Sequence, residues 1–183
     1  MEEAFHTKNI KVRSIGQDIL CLEFMTPSYA KAIIEIAEEV KEWTSVPHRY
    51  ATHDVLLEEK FPDLFEIIQE HLNHGVWPIV KKYWQMEDFN FQAYSAFVVK
   101  YSEDTQTSLD LHHDDSFISA SIKLNDEYSG GLLQFPRQNA DNGPVPVGSI
   151  LVWPGRITHP HKCSDLTSGT KYSLTIWTRE CTK

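Results

Sequence analysis

The stretch Leu109-Asp110-Leu111-His112-His113-Asp114-Asp115-Ser116 sets imidazoles and carboxylates two residues apart. A second stretch, Pro154-Gly155-Arg156-Ile157-Thr158-His159-Pro160-His161, offers two more imidazoles. Gly169-Thr170-Lys171-Tyr172-Ser173 then brings a cation ten residues after His161. Two imidazoles and one carboxylate, with coordination positions left open, form the facial set that holds iron(II) in non-haem oxygen chemistry. A cation nearby suits the carboxylate of an organic co-substrate.

If the first stretch is a strand, successive side chains alternate between its faces. Asp110, His112 and Asp114 then share one face, and Leu109, Leu111 and His113 the other. His112 with Asp114 is the preferred pair, and His113 with Asp115 is the alternative register. His159 and His161 have the same parity, so alternation does not separate them. A bare His-x-Asp arises often by chance in a chain with nine His and 26 acidic residues, where it is a solvated turn. The ordered set is more specific: a strand-embedded His-x-Asp, a His after a Pro-Gly turn, and a Lys opening a last apolar strand.

The elements that must position these groups are visible as changes of period. At 183 residues, with 41% hydrophobic and 23% charged residues, one globular domain is expected. Residues 10–15 and 19–25 read as strands about a turn at Gly16-Gln17-Asp18. Thr26-Pro27 reads as an N-cap with Pro at the first helical position, opening a helix to about Trp43. Its apolar face runs through Ala30, Ile33, Ile34, Ala37, Val40 and Lys41, and Glu35, Glu38, Glu39 and Glu42 form the wet face. Residues 51–57 read as a strand. Pro62-Asp63 opens a second helix to about Leu72, Gly75 and Pro78 interrupt it, and another piece spans 77–84.

From Phe89 the period becomes two, giving a long strand to Tyr101. Further strands are expected at 117–124, 132–135, 148–153 and 171–179. Turns fall at 125–127 and 129–131, and a loop at 137–147. The fold class is α+β, mainly β: a sandwich or jelly roll with N-terminal helices bracing one sheet. Residues 1–88 supply the N-terminal strands and helices, and 89–183 the core carrying the site.

Several features carry a plainer reading. His71 and His74 are spaced for a metal but read as helix surface, and His53-Asp54 as ordinary surface. His48, Arg49 and Tyr50 are candidates for a site mouth, and the loops at 102–107 and 137–147 are expected to shape it. A formal charge of −9 without a basic stripe argues against a nucleic-acid binder. Cys21, Cys163 and Cys181 are odd in number and widely spaced, which points to a reducing compartment. No apolar run is long enough to span a bilayer, and no secretory signal is visible at Met1-Glu2-Glu3-Ala4. A cytoplasmic location is the expectation, with no membrane partner; oligomeric state is not readable.

The ordered residues Phe97-Val98-Val99-Lys100-Tyr101, Leu111-His112-His113-Asp114, Gly130-Gly131, Phe135, residues 154–161 and Gly169-Thr170-Lys171-Tyr172 carry a family signature. Over about half of the chain they resemble the catalytic domain of 2-oxoglutarate/Fe(II)-dependent prolyl and lysyl hydroxylases, the procollagen lysyl hydroxylase type above all. The resemblance implies a double-stranded β-helix (jelly roll) holding Fe(II) through His112, Asp114 and His161. It is this resemblance that selects His161 over His159. It also implies 2-oxoglutarate as co-substrate, ascorbate as an accessory, and Lys171 at the distal carboxylate. Tyr101 matches a position whose hydroxyl reaches the 2-oxo acid. Ser173 shares the face of Lys171 and is placed beside it on parity alone. The family's basic residue is Arg in lysyl and Lys in several prolyl hydroxylases, so Lys171 lacks the bidentate fork of the former. The implied substrate is a peptidyl lysine or proline. The alternatives are a free amino acid or small metabolite, or a cupin-like metal protein that does not use 2-oxoglutarate.

Overall fold

A computed structural model describes residues 4–6, 10–44 and 52–181. Seven strands form the larger sheet: β1 (Val12–Gly16), β2 (Ile19–Glu23), β3 (Asp54–Leu56), β4 (Phe91–Tyr101), β6 (Ile118–Lys123), β10 (Ser149–Pro154) and β13 (Lys171–Glu180). Their order is β1-β2-β10-β6-β13-β4-β3, and the pairings are antiparallel. The smaller sheet has the order β5-β11-β8-β9, from β5 (Leu109–His112), β8 (Leu133–Phe135), β9 (Ala140–Asp141) and β11 (His161–Cys163). A two-stranded ribbon pairs β7 (Tyr128–Gly130) with β12 (Leu166–Gly169). The protein is mainly β, with antiparallel sheets and a few helices.

The larger sheet has two apolar faces with different tasks. Leu20, Leu22, Ala96, Val98, Ile122, Ile150, Val152, Leu174 and Ile176 point outward and pack under the helices. These are α1 (Pro27–Glu38), α2 (Leu57–Lys60), α3 (Pro62–His71) and α4 (Trp77–Tyr83). Ala30, Ile33 and Ala37 of α1 are buried against this face, as are Ile68, Val76, Trp77 and Val80. Each fully buried Leu or Ile there contributes roughly 1.5–3 kcal/mol. Thr26 caps α1 through Tyr29 N–H at 3.3 Å, with Pro27 in the first turn. The inner face, with Ile19, Leu151, Trp153, Phe97, Val99 and Tyr101, turns toward the smaller sheet. Braced from behind, this face holds its side chains in register for the site.

Several sequence expectations change. Helix α1 ends at Glu38, well short of Trp43, and Val40 beyond it is only half-buried. Between α3 and α4 the chain does not break. Leu72–Val76 widens into a π-helical turn. Such a turn absorbs Pro78, which lacks an N–H and crowds the carbonyl four residues before it. Ser129-Gly130-Gly131 is not a free turn: Tyr128–Gly130 forms β7 against β12, with φ of 73° at Gly130 and 60° at Gly131. The loop at 137–147 contains β9, and the short strands β11 and β12 have no periodic signal in the sequence. His48, Arg49 and Tyr50 lie outside the described residues. No helix among the described residues is long and apolar enough to cross a membrane.

Candidate active site

His161 on β11 lies directly opposite His112 on β5. Opposed residues of antiparallel strands have Cβ atoms about 5 Å apart, and the two rings come to 4.4 Å between centroids. Asp114 follows two residues after His112, past the end of β5, so its carboxylate turns back between the rings. Asp114 Oδ1 is 3.6 Å from His112 Nε2, and Oδ2 is 3.5 Å from His161 Nε2. Donor atoms of the three residues all lie within 4.8 Å of one another. No other such group of His, Cys, Asp and Glu occurs among the described residues.

Both rings have their tautomer fixed. His112 Nδ1 is 2.7 Å from the Asp110 carbonyl, and His161 Nδ1 is 3.0 Å from the His159 carbonyl. A carbonyl only accepts, so each Nδ1 carries the proton and each Nε2 lone pair turns toward Asp114. The 3.5 and 3.6 Å separations are long for hydrogen bonds. Two donors at right angles on one ion, with bonds of about 2.0–2.2 Å, sit about 3 Å apart. Asp114 is buried, and among the described residues its Oδ2 has no hydrogen-bond partner. A buried carboxylate between two imidazoles is a costly arrangement unless a cation completes it. The donor set therefore fits a divalent first-row metal.

Electrostatics agree with that fit. Burial pushes the Asp114 carboxyl pKa up, but the His112 and His161 imidazoles and the Ser119 hydroxyl outweigh it and hold it well below the usual range. Burial pushes the His112 pKa down, and the Asp114 carboxylate and Asp110 carbonyl outweigh that, raising it.

The other candidates go elsewhere. His159 is buried, with both ring nitrogens engaged: Nε2 donates to the Gln17 carbonyl at 3.0 Å, and Nδ1 accepts from the Thr158 hydroxyl at 2.8 Å. It ties the turn before β11 to the turn after β1. His113 donates through Nε2 to the Ile157 carbonyl at 2.8 Å, and exposed Asp115 pairs with Arg156 at 3.3 Å. A bulge in the β5–β11 pairing breaks strict alternation, and Asp110 is exposed rather than facing the centre beside His112. His71 and His74 each bond a carbonyl four residues earlier on their helix. Pro154-Gly155 has a steric reason: a Cβ at 155 would sit 2.2 Å from the Ser116 carbonyl oxygen.

No protein-family model matches the chain. Among curated proteins, it is 26% identical over 187 residues to a procollagen lysyl hydroxylase and glycosyltransferase of Acanthamoeba polyphaga mimivirus, covering 92% of this chain. It is 42% identical over 80 residues, 42% of this chain, to procollagen-lysine,2-oxoglutarate 5-dioxygenase 1 of Mus musculus. The chain spans only 20% and 11% of those two proteins. Among solved structures, the viral collagen prolyl hydroxylase of Paramecium Bursaria Chlorella virus-1 superposes with a TM-score of 0.62 at 17% identity, over 99% of this chain and 98% of that one. A Pseudomonas putida prolyl-4-hydroxylase gives 0.61 at 15% identity, over 90% of this chain and 94% of that one. The chain is thus similar in sequence to procollagen lysyl hydroxylases and shares its fold with prolyl hydroxylases of the 2-oxoglutarate/Fe(II)-dependent kind.

A cavity of about 430 Å³ opens between the two sheets of this dioxygenase fold and contains His112, Asp114 and His161. Lys171, Tyr101 and Ser173 line it as well. Lys171 opens β13 opposite Tyr101 on β4, and Ser173 follows on the same face. Lys171 is 4% exposed; its Nζ donates to Cys163 Sγ at 3.2 Å and lies 4.7 Å above the Tyr101 ring. Burial lowers its pKa, partly offset by Cys163. Burial drives the Tyr101 hydroxyl pKa far up, with the Cys163 thiol beside it. Gly131 leaves room for the lysine, since a Cβ there would meet Lys171 Cδ at 3.3 Å.

Sequence reasoning passed over Cys163, Trp153 and Asp54. Cys163 shares the inner face of β11 with His161, and strand parity two residues after a candidate ligand could have found it. Trp153 packs edge-on to the His161 ring at 5.1 Å, on the inward parity of β10. Asp54 is not surface chemistry: it is 8% exposed, bonds the Thr52 hydroxyl, and lines the cavity. Of the loops expected at the mouth, Asn142 and Val145 line the cavity, whereas no residue of 102–107 does.

Proposed function

We propose that this chain is an Fe(II)- and 2-oxoglutarate-dependent dioxygenase that hydroxylates a peptidyl lysine or proline. The observation that carries the reading is one cavity holding the His112-Asp114-His161 donor set together with a buried lysine to which, among the described residues, no carboxylate is hydrogen-bonded. On this reading residues 1–183 form one domain, and the two sheets are the halves of a double-stranded β-helix. The names of the curated relatives favour a lysyl side chain, those of the superposable structures a prolyl one. Three unpaired thiols, Cys21, Cys163 and Cys181, fit a reducing, cytoplasmic compartment.

His112, His161 and Asp114 would hold the metal through two Nε2 atoms and one carboxylate oxygen. The Asp110 and His159 carbonyls keep both rings in the ligating tautomer. Lys171 would pair with the distal carboxylate of 2-oxoglutarate, exchanging its thiol contact for a charge-assisted bond. Tyr101 and Ser173 would supply hydroxyls beside it. When bound, Fe(II) and 2-oxoglutarate supply the oxidation itself, one atom of O2 entering a substrate C–H bond as 2-oxoglutarate becomes succinate and CO2. Trp153, Val145 and Leu151 wall one side of the cavity with apolar surface, which keeps water out and strengthens the charges inside.

The test is succinate release from 2-oxoglutarate under air, with Fe(II) and ascorbate, over a panel of lysyl and prolyl peptides and free amino acids. Peptide-stimulated release with a 16-dalton gain on Lys or Pro supports the reading. Stimulation by free amino acids alone overturns its substrate class.

A further inference from the structure

Ala120 and Ile122 of β6 pack outward under the helices, so Ser121 and Lys123 point inward, and both line the cavity. Across the β6–β13 pairing they stand opposite Thr175 and Ser173. Lys171 comes two residues before Ser173 on the same face, so Lys123 and Lys171 are diagonal neighbours. Such neighbours are about 7–8 Å apart at the backbone, within reach of long side chains. Among the described residues the Lys123 ammonium has no hydrogen bond or ion pair. That of Lys171 has the Cys163 sulfur and the Tyr101 ring. Asp54 lines the cavity too, but at the far end of a rung: it pairs with Val99, Val99 with Ser173, and Ser173 with Lys123. Three strand spacings set Asp54 and Lys123 about 14 Å apart at the backbone. Two ammonium groups beside one cavity, with no carboxylate bonded to either, repel each other until an anion joins them. Lys171 feels its neighbour: burial lowers its pKa most, and the Lys123 charge lowers it further.

We infer that Lys123 is a second cation for the co-substrate: with Lys171 it forms a two-ammonium seat for the far carboxylate of 2-oxoglutarate, one ammonium to each oxygen. The inference rests on the co-substrate reading of Lys171 given above and deepens it. Position names the anion. Cys163, which holds Lys171, follows His161 by two residues on β11, about 7 Å along the strand. A short diacid with one end at the triad therefore brings its other end to the two lysines. One ammonium is a point charge and cannot grip both oxygens of a carboxylate in the planar manner of a guanidinium. Two of them, on adjacent strands, supply that second grip.

The test is anaerobic calorimetry of the Fe(II)-loaded protein with two acids, on wild type, K123Q, K123R and K171M. One acid is 2-oxoglutarate; the other is 2-oxovalerate, which ends in a methyl group where the far carboxylate stands. K123Q should unfold at a temperature close to wild type, yet bind 2-oxoglutarate about 10–100-fold more weakly. Its affinity for 2-oxovalerate should match wild type, and K171M should show the same pattern. K123R, which keeps the charge, should recover most of the 2-oxoglutarate affinity. Wild-type affinity for 2-oxoglutarate in K123Q overturns the inference. So does an equal loss for both acids, which would mark a structural role. Wild type that binds Fe(II) but not 2-oxoglutarate would instead overturn the co-substrate reading beneath it.

Discussion

His112 and His161 face each other across antiparallel strands, and each donates Nδ1–H to the carbonyl two residues before it. The arrangement is self-similar: the same local bond, made twice, turns two Nε2 atoms toward one carboxylate. It fixes both rings before any ligand arrives, so little ordering entropy remains to oppose metal binding.

His159 and His161 should therefore separate cleanly on mutation. Replacing His161 with Ala should abolish Co(II) binding while leaving the thermal unfolding midpoint almost unchanged. Replacing His159 with Ala should leave binding within a few-fold and cost about 1–3 kcal/mol of stability, from the lost bonds to Gln17 and Thr158. Calorimetric melts and metal titrations on the same preparations check both halves.

Metal affinity should rise with pH. The His112 pKa is raised in the folded, metal-free protein, so a proton must leave Nε2 before it can ligate. Below that pKa, log affinity should climb about one unit per pH unit, and it should flatten above. The same shift stabilises the metal-free fold below the ordinary histidine value of about 6.5, and that contribution is lost as pH rises through the raised value. Asp114 is held low, so its contribution is present above about pH 4 and is lost only as pH falls well below that. Mn(II) titrations from pH 5.5 to 8 (a range chosen about the ordinary histidine pKa) would reveal the slope; a flat profile would contradict it.

Lys171 should trade stability for function. Its ammonium is buried with a thiol and an aromatic ring for company, a poor exchange for water. Lys171→Met should raise stability by on the order of 1–3 kcal/mol. It should leave Co(II) affinity unchanged and weaken 2-oxoglutarate binding at least tenfold. Melting curves and anaerobic calorimetry with 2-oxoglutarate measure the two effects separately.

What could be read from the sequence follows from how local each signal is. Period-two runs disclosed β4, β6, β10 and β13, and Thr26-Pro27 marked the start of α1. The end of α1 was not legible, because the apolar pattern persists to Val40, beyond the helix end at Glu38. Strands β7, β11 and β12 have three or four residues each, too few for a period, and exist through their partners. At the site, His112 and Asp114 carried a local signature, and the alternative at His113 and Asp115 was separable only by tertiary contacts to Ile157 and Arg156. Parity could not tell His159 from His161; the structure sets His161 beside His112 and Asp114, and His159 against Gln17, 142 residues away. Cys163 and Asp54 bear no motif, and their place in the cavity comes from the folding of β11 and β3 onto distant strands.

The most direct measurement is anaerobic addition of Fe(II) and then 2-oxoglutarate to the purified protein, watching for the weak visible metal-to-ligand charge-transfer band. The account predicts a band in wild type, none in Asp114→Ala, and one in Lys171→Met only at much higher 2-oxoglutarate. Wild-type protein that binds Fe(II) but gives no band at saturating 2-oxoglutarate would contradict it and leave a metal protein of another kind.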